Sequence, residues 1–365
     1  MATTTVAQPR WTVVSPVAAV LVLAVVWDRE LPGPLAAVIA VVLGLAVLAG
    51  VHHAEVVALR VGEPFGSLIL AVAVTVIEVS LIVALILAGD AKTETLARDT
   101  VFAVVMITCN GIVGVCLLIG ALHRGVVLFR PEGVTGALAA LASLATLSLV
   151  LPTFTTSVPG PRYSAVQLAF AAVSAITLYG LFVFVQTVRH RGYFLPLGPD
   201  GAVLADDDDF EPPSGRAAAT SLGLLLVSLV GVVGLAKTLS PSIEDLVKTA
   251  GAPITVVGVA IAALILLPEA LAAARAARVD RVQTSLNLAY GSALASIGLT
   301  IPVLAVASIW LEGPLTLGLG PTELVLLALT IVVSSLTVLQ GRATVLQAGV
   351  HLSVFAAFIF LAFSP

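Results

Sequence analysis

The sequence predicts an all-α polytopic membrane protein of about eleven transmembrane helices, and three observations predict it. Hydrophobic residues make up 59 % of the 365 residues and charged residues only 10 %, whereas a soluble domain carries roughly 25 % charge. Mean hydropathy is +1.13. The apolar runs are about 18–27 residues long, which suits helices crossing ~30 Å of hydrocarbon and not the ~10-residue alternating strands of a barrel. In lipid a helix satisfies its own backbone.

The runs fall at roughly 11–27, 33–51, 64–89, 99–122, 134–152, 163–188, 217–237, 252–274, 284–310, 322–339 and 343–363. Proline, glycine and charge make the breaks, among them Asp28-Arg29-Glu30, His52-His53, His123-Arg124 and Pro159-Gly160-Pro161. The polar start MATTTVAQPR and the absence of a small-residue cleavage site argue against a cleavable signal peptide. With the N-terminus in the cytoplasm, eleven of the seventeen Lys and Arg residues fall inside, which favours that orientation. Net charge is −4 and pI about 5.7, which argues against nucleic acid as a partner. Cys109 and Cys116 share one apolar run and are expected as small core residues without a disulfide or metal.

Residues 190–216 form the longest polar stretch, with Asp206 to Asp209 and Glu211 followed by Pro212-Pro213. It is expected as a solvated cytoplasmic linker, and it lacks the spacing and glycine of an EF-hand. It divides the chain into residues 31–189 and residues 217–365, five segments each, with residues 1–30 as a tail and one extra helix. An odd number of crossings makes two such repeats insert in opposite orientations, a recurrent transporter plan with the site at the midplane.

Each half carries one carboxylate within its second apolar run, Glu78 and Glu269. An acidic residue at mid-helix costs about 2.5–3.5 kcal/mol to insert, and such residues usually face a polar cavity. The two glutamates are therefore expected to meet near mid-membrane. Calcium wants six to eight oxygens, and hydroxyls, amides and carbonyls of neighbouring helices add to the carboxylates. Pro268 removes a helical hydrogen bond beside Glu269 and can free a carbonyl. Oil favours the protonated carboxyl, and a bound cation favours the carboxylate. Cation and proton then compete for one site, which gives antiport when access alternates. Asn110, Asn287, Gly291 and Ser292 are expected around the ion, directly or one contact away. Glu63, about 22 Å before Glu78 along a helix, is expected near the cytoplasmic end, as an ion-entry group or simply an interfacial charge. Asp99 beside Arg98 reads as a loop ion pair, and His351 as a hydrogen-bonded core histidine.

The run GEPFGSLILAVAVTVIEVSLI, Gly62 to Ile82, resembles the first signature helix of the calcium/proton exchanger family of cation antiporters. The run from Leu264 to Val303 resembles the second, and the resemblance covers nearly the whole chain. Within the family it is most similar to the bacterial sodium–calcium/proton antiporters. The family's conserved glutamates map onto Glu78 and Glu269, and its later Gly-Ser pair onto Gly291-Ser292; Asn110 is carried over across a gap. The Gly-Asn-Ala that precedes the family's glutamates is absent from both halves, which read Thr75-Val76-Ile77 and Leu267-Pro268 here. The resemblance implies the cation/calcium exchanger fold and a secondary antiporter of the bacterial cytoplasmic membrane. Its cargo would be Ca2+, with Na+ or K+ as further substrates, moved against H+. A monovalent-selective Na+ or K+/H+ antiporter and a cation channel are the rival readings. No cofactor, ATP site or enzymatic nucleophile–base pair is expected.

Overall fold

The computed structural model describes residues 9–27, 29, 31–62, 65–88, 95–195, 212–251, 253, 255–310 and 315–364. Eleven helices occupy them: α1 (Arg10–Val26), α2 (Gly33–Val61), α3 (Phe65–Ala88), α4 (Leu96–Arg124), α5 (Pro131–Phe154), α6 (Ala165–Arg189), α7 (Gly215–Ala250), α8 (Thr255–Arg278), α9 (Val282–Ala307), α10 (Pro321–Val338) and α11 (Val345–Phe363). Nine of these described helices are long and apolar enough to cross a bilayer. Their outer faces suit lipid: on α6, Val166, Phe170, Val173 and Ile176 are exposed, while Leu168, Ala171, Ala175 and Tyr179 are buried. An apolar stripe that wide is stable only where the solvent is oil.

The chain divides into two compact units, residues 1–96 with 207–257 and residues 97–206 with 258–365. Each draws helices from both sides of the acidic stretch, of which residues 196–211 lie outside the described residues.

In the first unit α7 is the shared partner of α1, α2 and α3. Small residues make this possible, as in most membrane helix pairs. A Cβ on Gly231 would lie 2.8 Å from Ala19 Cβ, and one on Gly234 would lie within 3.0 Å of three Leu23 side-chain atoms. At Gly50, α2 meets Ile77 of α3 and Ser228 of α7, each 3.3 Å from where a Cβ would be. Lys237 Nζ lies 5.5 Å from the ring centre of Trp27, a cation–π contact between α7 and the end of α1.

The pair His52-His53 does not break the helix as the sequence suggests; α2 continues to Val61 and stops at Gly62, whose φ is 75°. His53 is fully buried, with Nε2 2.9 Å from the Thr12 carbonyl and Nδ1 3.3 Å from Ser221 Oγ. A carbonyl only accepts, so Nε2 donates and the neutral ring accepts from the serine hydroxyl. The imidazole ties three helices together and leaves α2 no reason to end.

In the second unit α4 and α9 are the most enclosed of the described helices. Helix α9 packs on α5 and α6, and α4 on α11. Two-residue strands β1 (Val127–Leu128) and β2 (Arg342–Ala343) pair antiparallel, Val127 opposite Ala343. Helices α4, α5 and α6 each contain a π-helical segment, Ile107–Ile112, Thr146–Val150 and Val185–Arg189. Beside the second, the Tyr163 hydroxyl donates to the Leu147 carbonyl. Burial raises this loop phenol above its usual value of 10, so it remains a donor.

Candidate functional site

Glu78 belongs to the first unit. It lies on α3 and is 1 % exposed, with Ile77 and Thr75 also buried. From Phe65 to Ala88 it is the single ionisable side chain. One residue away, Ile77 packs on Gly50 of α2, against which Ser228 of α7 also packs. Glu63 lies outside the described residues.

Glu269 belongs to the second unit and follows Pro268 inside α8. It is half-buried, and its Oε2 is sealed from solvent. A proline ring at this position leaves the Leu264 carbonyl without its helical donor. Helices α8 and α9 join through a short turn in which Asp280 has φ 62°, and Ser285 Oγ donates to the Ala273 carbonyl at 2.7 Å. From that contact Glu269 is about 6 Å along α8 and Gly291 about 9 Å along α9, at 1.5 Å per residue. The two levels differ by less than one turn, so Glu269 and the Gly291-Ser292 pair share a depth. Gly291 has open space where a side chain would begin.

Asn287 is held elsewhere. Its Nδ2 donates to the Phe194 carbonyl at 2.6 Å, and its Oδ1 accepts from Gln283 Nε2 at 3.0 Å. Gln283 Oε1 accepts from the Arg130 amide at 2.7 Å. The chain of bonds clasps the turn at Arg191–Phe194, where the acidic stretch begins. Gln283→Leu breaks it, and trypsin then cuts after Arg191 several times faster in purified protein while the thermal midpoint moves little.

Asn110 is fully buried in the π segment of α4. Its Nδ2 donates to Thr330 Oγ1 at 2.9 Å, and its Oδ1 has no partner. Cys109 and Cys116 are buried and free. His351 is buried with Nε2 3.1 Å from Thr337 Oγ1, in keeping with a hydrogen-bonded core histidine.

Asp99 is not in a loop. It stands in the first turn of α4, where a carboxylate also complements the helix dipole, and is 3 % exposed. Arg98 Nη2 lies 2.7 Å from its Oδ1, and Arg98 Nη1 donates to the Gly318 carbonyl. Gly258 of α8 comes so close that a Cβ there would lie 3.1 Å from Asp99. An open cleft of about 590 Å³, lined by Arg98, Thr153, Thr155 and Gly318, adjoins the pair. Asp99→Asn leaves the half-buried Arg98 without its ion and should cost about 3 kcal/mol, read as a lower thermal midpoint that Arg98→Met in the same chain partly restores.

The model of the sodium/calcium exchanger protein family matches residues 31–188 and 220–364. The chain is 43 % identical over 364 residues to y4hA of Sinorhizobium fredii, whose name gives it as an ionic transporter of unstated substrate; the match covers 98 % of this chain and 97 % of that one. It is 34 % identical over 318 residues to the sodium-potassium/proton antiporter ChaA of Escherichia coli, covering 86 % and 84 %. Among solved structures, native YfkE superposes with a TM-score of 0.71 at 17 % identity, covering 98 % of this chain and 99 % of that one. The H+/Ca2+ exchanger CAX superposes at 0.67 and 14 %, covering 96 % and 88 %. At such identities the two structures speak for the fold alone.

Proposed function

The chain belongs to the sodium/calcium exchanger protein family, and on that premise we propose that it is a secondary antiporter that moves Ca2+, with Na+ and K+ as further cargo, against H+. Glu78 and Glu269 hold the cation or the protons in turn. Gly291, Ser292 and Asn110 stand near the ion, and access to it alternates between the two sides of the membrane. The observation that supports the reading best is Glu78, a carboxylate 1 % exposed in the middle of an apolar helix. Such a group is rare without a transport role. The protein lies in the cytoplasmic membrane with its N-terminus inside, the orientation the Lys and Arg distribution favours.

A second reading, exchange of Na+ or K+ alone, is favoured by the 34 % identity to a sodium-potassium/proton antiporter. Everted vesicles separate the two. With an acid interior set by respiration, added CaCl2, NaCl or KCl dissipates the pH gradient in proportion to exchange. Dequenching of a pH dye by all three salts is the expected result. Response to the monovalent salts alone removes calcium from the proposal, and no response to any of them overturns antiport.

A further inference from the structure

Helix α8 presents an outward stripe of four side chains. Leu267 and Leu271 on it are 39 % and 46 % exposed. Arg275 and Arg278, both exposed, continue it to the end of the helix that the proposed orientation places in the cytoplasm. At 3.6 residues per turn the four side chains fall within about 80° of one another. Leu266, Ala273 and Ala277 line the opposite side and are buried. An apolar stripe that ends in two arginines matches the outline of a lipid, with chain beside leucine and headgroup beside charge.

Length sets the depth of the arginines. The 24 residues of α8 span about 36 Å, against ~30 Å of hydrocarbon. Its last turn therefore sits at the edge of the oil, where lipid phosphates begin. The charge there is uncompensated. Asp280 is the one acidic residue between Glu269 and Trp310, and Arg124 Nη2 of α4 lies 2.7 Å from its Oδ2. Among the described residues Arg275 and Arg278 make no ion pair or hydrogen bond through their side chains. Residues three apart on a helix have Cβ atoms about 5–6 Å from each other, near enough for both guanidiniums to reach one phosphodiester. Guanidinium and phosphate form strong, paired hydrogen bonds.

We propose that Arg275 and Arg278 bind the phosphate of an anionic phospholipid in the adjoining leaflet, with an acyl chain along Leu271 and Leu267. Basic sites at the cytoplasmic ends of membrane helices take such headgroups. A zwitterionic lipid brings an amine whose charge the two guanidiniums repel. The inference goes beyond the transport reading and does not rest on it.

Native mass spectrometry of the full chain in detergent tests it, with phosphatidylglycerol and phosphatidylcholine of identical acyl chains added in equal amounts. Two arginines near the surface favour the anionic lipid about thirtyfold at the first bound molecule. Arg275→Gln with Arg278→Gln brings that ratio close to one. Either change alone lowers it about fivefold, which decides the matter should the double variant insert poorly. Arg10→Gln with Arg60→Gln removes the same charge from exposed positions on α1 and α2 and leaves the ratio unchanged. Equal retention of the two lipids by the parent chain overturns the proposal. So does an equal loss in the Arg10 and Arg60 variant, which would make the preference one of overall charge. Glycerol 3-phosphate in place of the lipids separates a lipid from a free phosphate: retention as strong as that of phosphatidylglycerol also overturns the proposal. Lipid retention is read without any pH gradient, so its failure and the failure of antiport are separate results.

Discussion

Glu78→Gln gives vesicles in which no cation dissipates the pH gradient, and Glu269→Gln does the same. The substitution keeps the shape and the hydrogen-bonding capacity of the side chain and removes only its ability to be a carboxylate. A unit charge 4 Å from a cation is worth about 4 kcal/mol at an effective dielectric of 20, or about a thousandfold in affinity. Proton release is lost with it, because an amide has no proton to exchange. The alternative is that each glutamate is a hydrogen-bonding strut between helices. Glutamine can replace a strut, so exchange would persist near the parent rate, and that outcome removes the site assignment. Both variants should purify as monodisperse protein with an unchanged thermal midpoint, which separates lost transport from lost fold. Glu269, half-buried where Glu78 is enclosed, is the stricter test, since solvent near it weakens the electrostatic argument.

Gly298→Ala should lower the thermal midpoint of the purified protein more than any other single methyl added to α9. A Cβ at this position would stand 2.6 Å from Tyr179 Cβ and 2.9 Å from its Cγ. Those atoms sit next to the α6 backbone and cannot swing aside, so the two helices must part. Overpacking of this kind costs typically about 1–3 kcal/mol, against a gain of about 1 kcal/mol from replacing a helical glycine. Gly180→Ala is the matched control on α6, where a Cβ meets nothing within 4 Å; it should leave the midpoint unchanged or raise it slightly. Equal midpoints for the two variants would show that α6 and α9 are not in close contact at Gly298.

The count of helices was legible because lipid imposes one length on every crossing, and Pro, Gly and charge punctuate the runs. The position of Glu78 was legible for the related reason that nothing else on α3 is ionisable. Helix ends were less so. His52-His53 reads as polar punctuation until Thr12 and Ser221, from α1 and α7, are seen to take both ring nitrogens. Asp99 reads as a loop residue for the same reason, since its partners Arg98 and Gly258 come partly from another helix. Asn287 has the residue type of an ion ligand, but its bonds to Gln283 and Phe194 are those of a tether. The π segment of α4 leaves no periodic trace, because one extra residue per turn within a uniformly apolar run changes no pattern. Asn110 and His351 stand out as polar residues in apolar runs, but nothing in the run tells that Asn110 meets Thr330, 220 residues away in sequence.

Because α7 is the common partner of α1, α2 and α3, the first unit is assembled from pieces made at different times. Ribosomes add roughly 5–20 residues per second, and the 162 residues between Ala88 and Ala250 therefore separate the early helices from their partner by about 8–30 s. During that interval the faces of α1 that will meet Gly231 and Gly234 are covered by lipid or by the insertion machinery. Truncated nascent chains ending before Gly215 should accordingly be the ones most readily caught by membrane quality-control proteases.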